Sequence, residues 1–418
     1  MRGIAHPLIL AAAIGAGCGS KTGLDVPDVG IPPRDARAPD AARDAGRPRR
    51  CIEVPRAAAP VVVDFEIDAR LAIVDVMLLL DASASMDDEI DEIARRLGSR
   101  IVPGIEEIVP DAAFGLAVIG EFGVEPYGPP DVSPYELRVP ITTDVVQVQG
   151  ALDVLPRWGN YDEPESQVEG LYQLATGDGL PGWIRPAPAC PSGGDGGACF
   201  RHHAQPVVLL VTDAPFHEGP DRSDPYRGIV PTPHRWDETV AALAARSFRV
   251  IGLGATDFDR RSPMPDLRAI AQATGTVGPD GPLALDIGGD GAGLGDRVVE
   301  AVRRLAEGVP FDVEAVALDV GTDDIDATSL VTAVRAVSVD PADGALGMEG
   351  ARFVSARPGA RLRFAIDVDG RGAPEAWVGV PIALDVVFLG AGRTRLGSER
   401  VDLVVTQDGQ PGCRETTP

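Results

Sequence analysis

A nearly continuous apolar segment constrains the fold of this chain more than any other feature of its sequence. Residues 73–80 read Ile-Val-Asp-Val-Met-Leu-Leu-Leu, and Asp75 is the one charged side chain among them. The run does not alternate apolar with polar side chains, which indicates a strand buried on both faces. Such strands are typical of parallel sheets that carry helices on both sides.

Helical and strand patterns alternate after this segment. They predict a doubly wound, Rossmann-like α/β domain over residues 73–309, in which sites lie at the carboxyl ends of the strands. The expected helices cover residues 89–97, 168–175, 238–245, 267–273 and 297–305, and the expected strands cover 114–119, 207–211 and 248–253.

The apolar pattern changes to a period of two after Pro310. Residues 313–318 and 362–368 alternate apolar with polar side chains, and Gly, Pro and Asp turns separate such runs. This pattern predicts a small β-sandwich over residues 310–418. Residues 51–72 hold a similar run that could pair with the sandwich, and the α/β domain would then be an insertion in it.

The charge of the chain argues against one class of partner. The 418 residues include 63 acidic and 38 basic side chains, a formal net charge of −25, and Lys21 is the only lysine. Affinity for nucleic acids depends mainly on Lys and Arg contacts with phosphates. We therefore expect no nucleic-acid partner.

The first 50 residues predict export and an anchor. An apolar run over residues 8–16 is too short to span a membrane but suits a signal peptide over residues 1–17. Residues 14–18, Ile-Gly-Ala-Gly-Cys, resemble the lipobox of bacterial lipoproteins, although Gly15 departs from its usual leucine. The resemblance implies a lipidated Cys18 and a protein of the bacterial cell envelope, at the outer membrane or cell surface. A secreted protein is the alternative.

A tether is expected between this anchor and the folded part. Residues 18–50 are rich in Pro, Asp, Ala, Arg and Gly and show no apolar periodicity. Such a composition cannot bury enough apolar surface to offset the entropy of ordering, so this segment is predicted to be disordered.

Four cysteines are available for disulfides if Cys18 is lipidated, and export permits such bonds. Cys190 and Cys199 bracket a glycine-rich loop whose closure would stabilise the fold by roughly 2.5 to 3 kcal/mol. We predict this pair, and by elimination a bond between Cys51 and Cys413.

Oxygen-bearing side chains follow the buried strand directly. Asp81, Ser83 and Ser85 form an Asp-x-Ser-x-Ser turn, and three acidic residues follow at 87–89. Hard oxygen ligands of this kind suit Mg²⁺, Mn²⁺ or Ca²⁺. A helix start is the alternative, with Ser85 as the cap and the acidic residues favouring the helix dipole.

The turn resembles the metal-ion-dependent adhesion site of von Willebrand factor A domains. Two further segments resemble the I-like domain of integrin β subunits. The first is Asn-Tyr-Asp-Glu-Pro-Glu at 160–165 with Gly-Trp at 182–183, and the second is residues 209–217 with Gly-Ile-Val at 228–230. The resemblance covers about residues 61–309, and the sandwich follows where integrin β subunits carry their hybrid domain.

The resemblance implies three cation sites, each with its own ligands. For a central Mg²⁺ or Mn²⁺ it implies Asp81, Ser83, Ser85 and Glu165, with Asp213 acting through water or the adjacent ion. For a flanking Ca²⁺ it implies Asp88, Glu89, Asp213 and the Ser85 carbonyl. For a second flanking Ca²⁺ it implies Asn160, Asp162, the Pro164 carbonyl and Glu165.

The sequence also departs from the family. Glu89 stands where the family has aspartate, and Gly120 or Glu121 replaces an aspartate expected after the 114–119 strand. His202, His203, His217 and His234 are irregularly spaced and are expected to be solvated loop residues.

The resemblance implies a non-enzymatic adhesion module. Such a module would capture a carboxylate on a protein or surface through its central cation, and membrane contact would occur through the lipid anchor alone. The alternative is a structural envelope protein whose metals only stabilise the fold.

Overall fold

The computed structural model describes residues 50–191, 194–256, 260–289, 291–320, 325–407 and 412–413. The expected signal peptide at 1–17, the lipidated Cys18 and all but the last residue of the 18–50 tether lie outside this range. Among the described residues, no helix has the length and apolar character needed to cross a membrane.

In the first part of the described chain helices and strands alternate, and in the second part strands predominate, with two short 3₁₀ helices at Ala327–Leu330 and Glu375–Trp377. The helices are α1 (Asp87–Arg96), α2 (Val102–Ile108), α3 (Val145–Leu152), α4 (Gln167–Thr176), α5 (Trp236–Ala245), α6 (Met264–Ala273) and α7 (Leu294–Gly308). The strands are β1 (Arg50–Pro55), β2 (Val61–Asp68), β3 (Ile73–Asp81), β4 (Asp111–Ile119), β5 (Glu136–Thr142), β6 (Gln205–Thr212), β7 (Arg249–Gly254), β8 (Val277–Gly278), β9 (Gly281–Pro282), β10 (Ala284–Asp286), β11 (Phe311–Asp319), β12 (Val331–Asp340), β13 (Gly347–Glu349), β14 (Arg352–Ala356), β15 (Arg361–Val368), β16 (Pro381–Gly390) and β17 (Thr394–Thr406).

Six strands form the sheet of the α/β region, in the order β10-β7-β6-β3-β4-β5. All neighbours are parallel except β4 and β5, so an antiparallel strand closes one edge. Helices cover both faces. Along β3, Leu78 and Leu80 pack on the face of α1, α2, α3 and α7, whereas Met77 and Leu79 pack on the face of α4, α5 and α6. The apolar run at 73–80 is therefore buried on both sides, as its pattern predicts.

The strand register brings three chain segments to one edge of this sheet. Asp81, the last residue of β3, pairs with Ile119 at the end of β4. On the other side, Leu80 pairs with Val211 near the end of β6. The segments that leave β3, β4 and β6 therefore begin side by side.

Two further sheets enclose a common apolar core that includes Val63, Phe353 and Phe364. Their strand orders are β1-β17-β16-β11-β14-β13 and β12-β15-β2. Strand β1 pairs in parallel with β17, and β2 pairs antiparallel with β15. The α/β region thus lies in the chain between strands of these two sheets.

Both expected disulfides are present. Cys51 is bonded to Cys413, with 5.8 Å between their Cα atoms, and joins the two ends of the described chain. Cys190 is bonded to Cys199, with a Cα separation of 5.2 Å.

Candidate metal centre

Asp81 ends β3 at the edge where the three segments meet. Its side chain is fully buried. One carboxylate oxygen accepts the Ser83 N–H at 2.9 Å, and the other accepts the Thr212 hydroxyl at 2.6 Å. Burial, followed by the neighbouring charge of Asp213, raises the pKa of Asp81 to about 7. A carboxylate in this position gains free energy from any cation that replaces the water it has lost.

The two serines of the turn lie together beside Asp81. The Ser83 and Ser85 hydroxyl oxygens are 3.0 Å apart, and Ser85 is exposed to solvent. The N-cap residue of α1 is Met86, with no side-chain hydrogen bond to the helix. The interpretation of Ser85 as the helix cap is therefore wrong, and its hydroxyl is available for another role.

Backbone hydrogen bonds bring the 158–165 segment to the same edge. The Ala84 N–H donates to the Trp158 carbonyl and the Trp158 N–H to the Ala82 carbonyl, both at 2.8 Å. At the other end, Glu165 and His217 are linked by the His217 N–H, which donates to the Glu165 carbonyl at 2.9 Å. The segment predicted to supply ligands thus spans the ends of β3 and β6.

Glu165 is buried with half of its carboxylate unsatisfied. Its side chain is 1% exposed, and one oxygen accepts the Asn160 amide at 2.6 Å. The other oxygen, Oε2, has no hydrogen-bond donor among the described residues. Burial, with the charge of Asp81 second, raises the pKa of Glu165 well above its usual range. Buried polar atoms are nearly always paired, so this oxygen is suited to carry a proton or to bind a cation.

The side chains expected at the central site have the chemistry that Mg²⁺ prefers, and the site itself stays a prediction. The side chains offer only hard oxygen atoms, and Glu165 Oε2 has no hydrogen-bond partner among the described residues. They belong to Asp81, Ser83, Ser85 and Glu165. Asp213, 8% exposed, already has a positive partner, because Arg260 Nη1 lies 3.0 Å from its Oδ2.

Two expected ligands of the first flanking site differ in their exposure to solvent. Glu89 is buried, and burial raises its pKa, whereas Asp88 faces solvent in the first turn of α1. A Ca²⁺ site from Asp88, Glu89, Asp213 and the Ser85 carbonyl stays a prediction.

The second flanking Ca²⁺ site also stays a prediction, and two of its expected ligands contact other side chains. Asn160 directs its amide nitrogen, a donor, at Glu165, and Asp162 Oδ2 lies 3.1 Å from the Nε2 atom of His217. Ca²⁺ takes oxygen ligands, and the imidazole beside Asp162 is not one of them. Pro164 is buried.

His217 is buried rather than solvated, which corrects the expectation for this histidine. It is 4% exposed, and its Nε2 lies 3.0 Å from Glu121 Oε2 as well as near Asp162. Burial alone would lower the pKa of His217, but hydrogen bonds with Asp162 and Glu121 outweigh it and raise the pKa to about 10. Ligand atoms of Glu121, Asp162 and His217 all lie within 4.8 Å of one another and could hold a metal ion.

His234 is also more buried than expected. It is half-buried, and its Nδ1 lies 3.0 Å from Glu169, which is 1% exposed. This pair joins α4 to the segment before α5.

Two supporting residues escaped the sequence analysis. Thr212 donates to Asp81, and the buried Gln167 amide donates to the Thr212 hydroxyl at 3.0 Å and so orients it. The signal for Thr212 was its position at the end of a buried strand beside Asp213. No sequence pattern indicates Gln167, because its contact with Thr212 depends on the position of the first turn of α4 relative to β6.

Comparisons with known proteins add little. No family model matches the chain, and no curated protein matches it. Many solved structures are similar to it, and three of them have TM-scores of 0.33 to 0.35. They are proximal thread matrix protein 1 of the mussel byssus (14% identity, 60% of this chain and 51% of that one, TM-score 0.34), the pilus adhesin SpaC of Lactobacillus rhamnosus GG (13%, 82% and 45%, 0.33) and the human COPII-coat protein Sec24c (11%, 82% and 46%, 0.35).

The chain spans about half the length of each of these structures. Similarities with TM-scores this low do not indicate what the chain binds. The geometry of the site itself must therefore support any function.

Proposed function

We propose that this protein is a cation-dependent binding protein of the von Willebrand factor A type, which captures a carboxylate on a partner. The observation that carries the proposal is the buried, unpaired oxygen of Glu165 beside Asp81, at an edge that also presents two serine hydroxyls. These groups would hold Mg²⁺, or Mn²⁺ in its place.

A bound Mg²⁺ would supply the positive charge that a carboxylate ligand needs at this acidic surface. The chain's own residues prepare the site. Thr212 and the Ser83 N–H hold both oxygens of Asp81, Asn160 holds one oxygen of Glu165, and exposed Ser85 leaves the position open to solvent.

The protein's location is part of the proposal. The two disulfides suit an oxidising compartment, in agreement with export. A lipid anchor at Cys18 would then present the site at the bacterial cell surface or outer membrane.

The experiment uses immobilised peptides that contain aspartate or glutamate, with matched peptides that contain asparagine or glutamine. The protein should bind the acidic peptides in Mg²⁺ and not in chelator. Asp81→Ala should abolish binding, whereas Asp91→Ala, a change to an exposed carboxylate on α1, should not. Binding that survives in chelator or in Asp81→Ala would overturn the proposal.

A further inference from the structure

Three side chains from separate parts of the chain meet at a point next to the proposed Mg²⁺ site. Glu121 lies just after β4, Asp162 lies in the 158–165 segment, and His217 follows β6. His217 Nε2 is 3.0 Å from Glu121 Oε2 and 3.1 Å from Asp162 Oδ2. Glu121 and His217 are almost completely buried.

Neighbouring groups fix the orientation of both buried ligands. The second ring nitrogen of His217, Nδ1, lies 2.8 Å from the Asp224 carbonyl oxygen. A carbonyl only accepts, so Nδ1 carries the proton and Nε2 faces the two carboxylates. The Tyr226 hydroxyl donates to the other oxygen of Glu121. Outer hydrogen bonds of this kind accompany histidine and carboxylate ligands in metal sites.

One hydrogen on Nε2 cannot satisfy this cluster. It is directed at Asp162 Oδ2, and Glu121 Oε2 and Asp162 Oδ1 are then buried without a hydrogen-bond donor among the described residues. A metal ion would contact Nε2 and a carboxylate oxygen from each acid together. Metal–ligand bonds of about 2.0 to 2.2 Å place neighbouring ligand atoms about 3 to 3.5 Å apart. The two distances from His217 Nε2 are close to this range, and all three ligand atoms lie within 4.8 Å of one another.

We propose that Glu121, Asp162 and His217 bind a divalent first-row transition metal, of which Zn²⁺ and Mn²⁺ are the test cases. Imidazole is a poor ligand for Ca²⁺ and Mg²⁺ and a good one for transition metals. The site takes the place of the second Ca²⁺ site that the sequence resemblance implies. It shares no ligand with the proposed Mg²⁺ site and does not depend on it.

The experiment titrates Zn²⁺ and Mn²⁺ by calorimetry into the purified full chain, with excess Mg²⁺ and Ca²⁺ present. About one equivalent of Zn²⁺ should bind to the wild type and equally well to Asp81→Ala. Because the proposed Mg²⁺ site could also take up Mn²⁺, the Mn²⁺ titration is read in Asp81→Ala, which should bind about one equivalent. His217→Gln should weaken binding by more than about 100-fold, because loss of even an outer partner costs about 10- to 100-fold. His234→Gln is the matched control, since this histidine also pairs with a buried glutamate, and it should bind as the wild type does.

Glu121→Gln provides a second variant, whose side chain has nearly the same volume as the wild-type one. It tests metal binding if circular dichroism shows that His217→Gln does not fold. It should also weaken binding by more than about 100-fold. Failure of the wild type to bind either metal, or equal binding by the folded variants, would overturn the proposal. His217 would then be a charged hydrogen-bond donor between two carboxylates.

Discussion

At the scale of residues, the proposed site contains carboxylates that are buried from water in the folded protein, without any partner bound. Asp81 and Glu165 are buried, and their pKa values are raised chiefly by that burial. Solvent-exposed carboxylates would gain less free energy from binding a cation, because water already hydrogen-bonds to them. The protein therefore carries an unfavourable charge arrangement that Mg²⁺ is expected to relieve.

The pH dependence of stability tests this arrangement. In the metal-free protein, the free energy of unfolding should fall as the pH rises from about 4 to about 7. Folded Asp81 keeps its proton up to about pH 7, whereas its ordinary pKa is 3.8, so the folded state binds more protons in this window. Mg²⁺ should oppose the fall, since it binds the ionised form.

Urea unfolding at pH 5 and pH 7, with and without Mg²⁺, measures this effect. Asp81→Asn should show a smaller decrease than the wild type and no response to Mg²⁺. Equal pH dependence in the two proteins would contradict the assignment of the titration to Asp81.

Some residues of the proposed site can be identified from the sequence alone. Asp81, Ser83 and Ser85 belong to one turn, so their spacing in the chain already fixes their proximity. His217 and Asp162 are 55 residues apart, and only the path of the 158–165 segment brings them together. That path depends on backbone hydrogen bonds at Trp158 and Glu165, which no side-chain pattern indicates.

At the scale of elements, burial on both faces makes the central strands easy to predict and the edges hard. The pattern of β3 and β6 indicates parallel strands, and both are buried throughout or nearly so. β5 was not predicted, because it is an edge strand that contains Pro140, which removes a ladder donor. α3 was not predicted either, since its first turn is Val-Val-Gln-Val and β-branched residues favour strands.

Close packing of α4 against β4 gives a prediction for this scale. A Cβ atom on Gly170 would overlap Ile119 Cγ2, so Gly170→Ala should lower the free energy of unfolding by about 1 to 3 kcal/mol. Gly150→Ala on α3 is the matched control, because its new Cβ would lie more than 4 Å from every described residue outside its own helix backbone and chain neighbours. It should raise stability by about 0.5 to 1 kcal/mol.

Chemical unfolding of the two variants measures the difference. Similar effects from both changes would show that α4 does not pack against β4 as closely as described.

At the scale of the whole molecule, the α/β region is connected to the other sheets at both ends and held by side-chain contacts. Arg393, between β16 and β17, lies 3.1 Å from Asp195 and donates to the Arg246 carbonyl at 3.0 Å. The Ser247 hydroxyl donates to the Ala391 carbonyl at 3.0 Å. The sequence predicts that a strand before the α/β region pairs with the sandwich. It does not predict these side-chain contacts, because they depend on how the α/β region is oriented.

Removal of Arg393 tests whether these contacts stabilise the molecule. Arg393→Met should lower the free energy of unfolding by about 1.5 to 3 kcal/mol, as expected for hydrogen bonds to charged groups that are mostly shielded from water. Arg371→Met, which removes an exposed pairing with Asp369, should have little effect. Equal stability of the two variants in urea would contradict a role for Arg393 in joining the two parts.

The most direct test of the central claim is a calorimetric titration of Mg²⁺ into the purified protein, with Asp81→Ala and Asp91→Ala beside the wild type. The wild type and Asp91→Ala should bind Mg²⁺ saturably, and Asp81→Ala should not bind it. Absence of Mg²⁺ binding in the wild type, or unchanged binding in Asp81→Ala, would contradict a cation site at the end of β3.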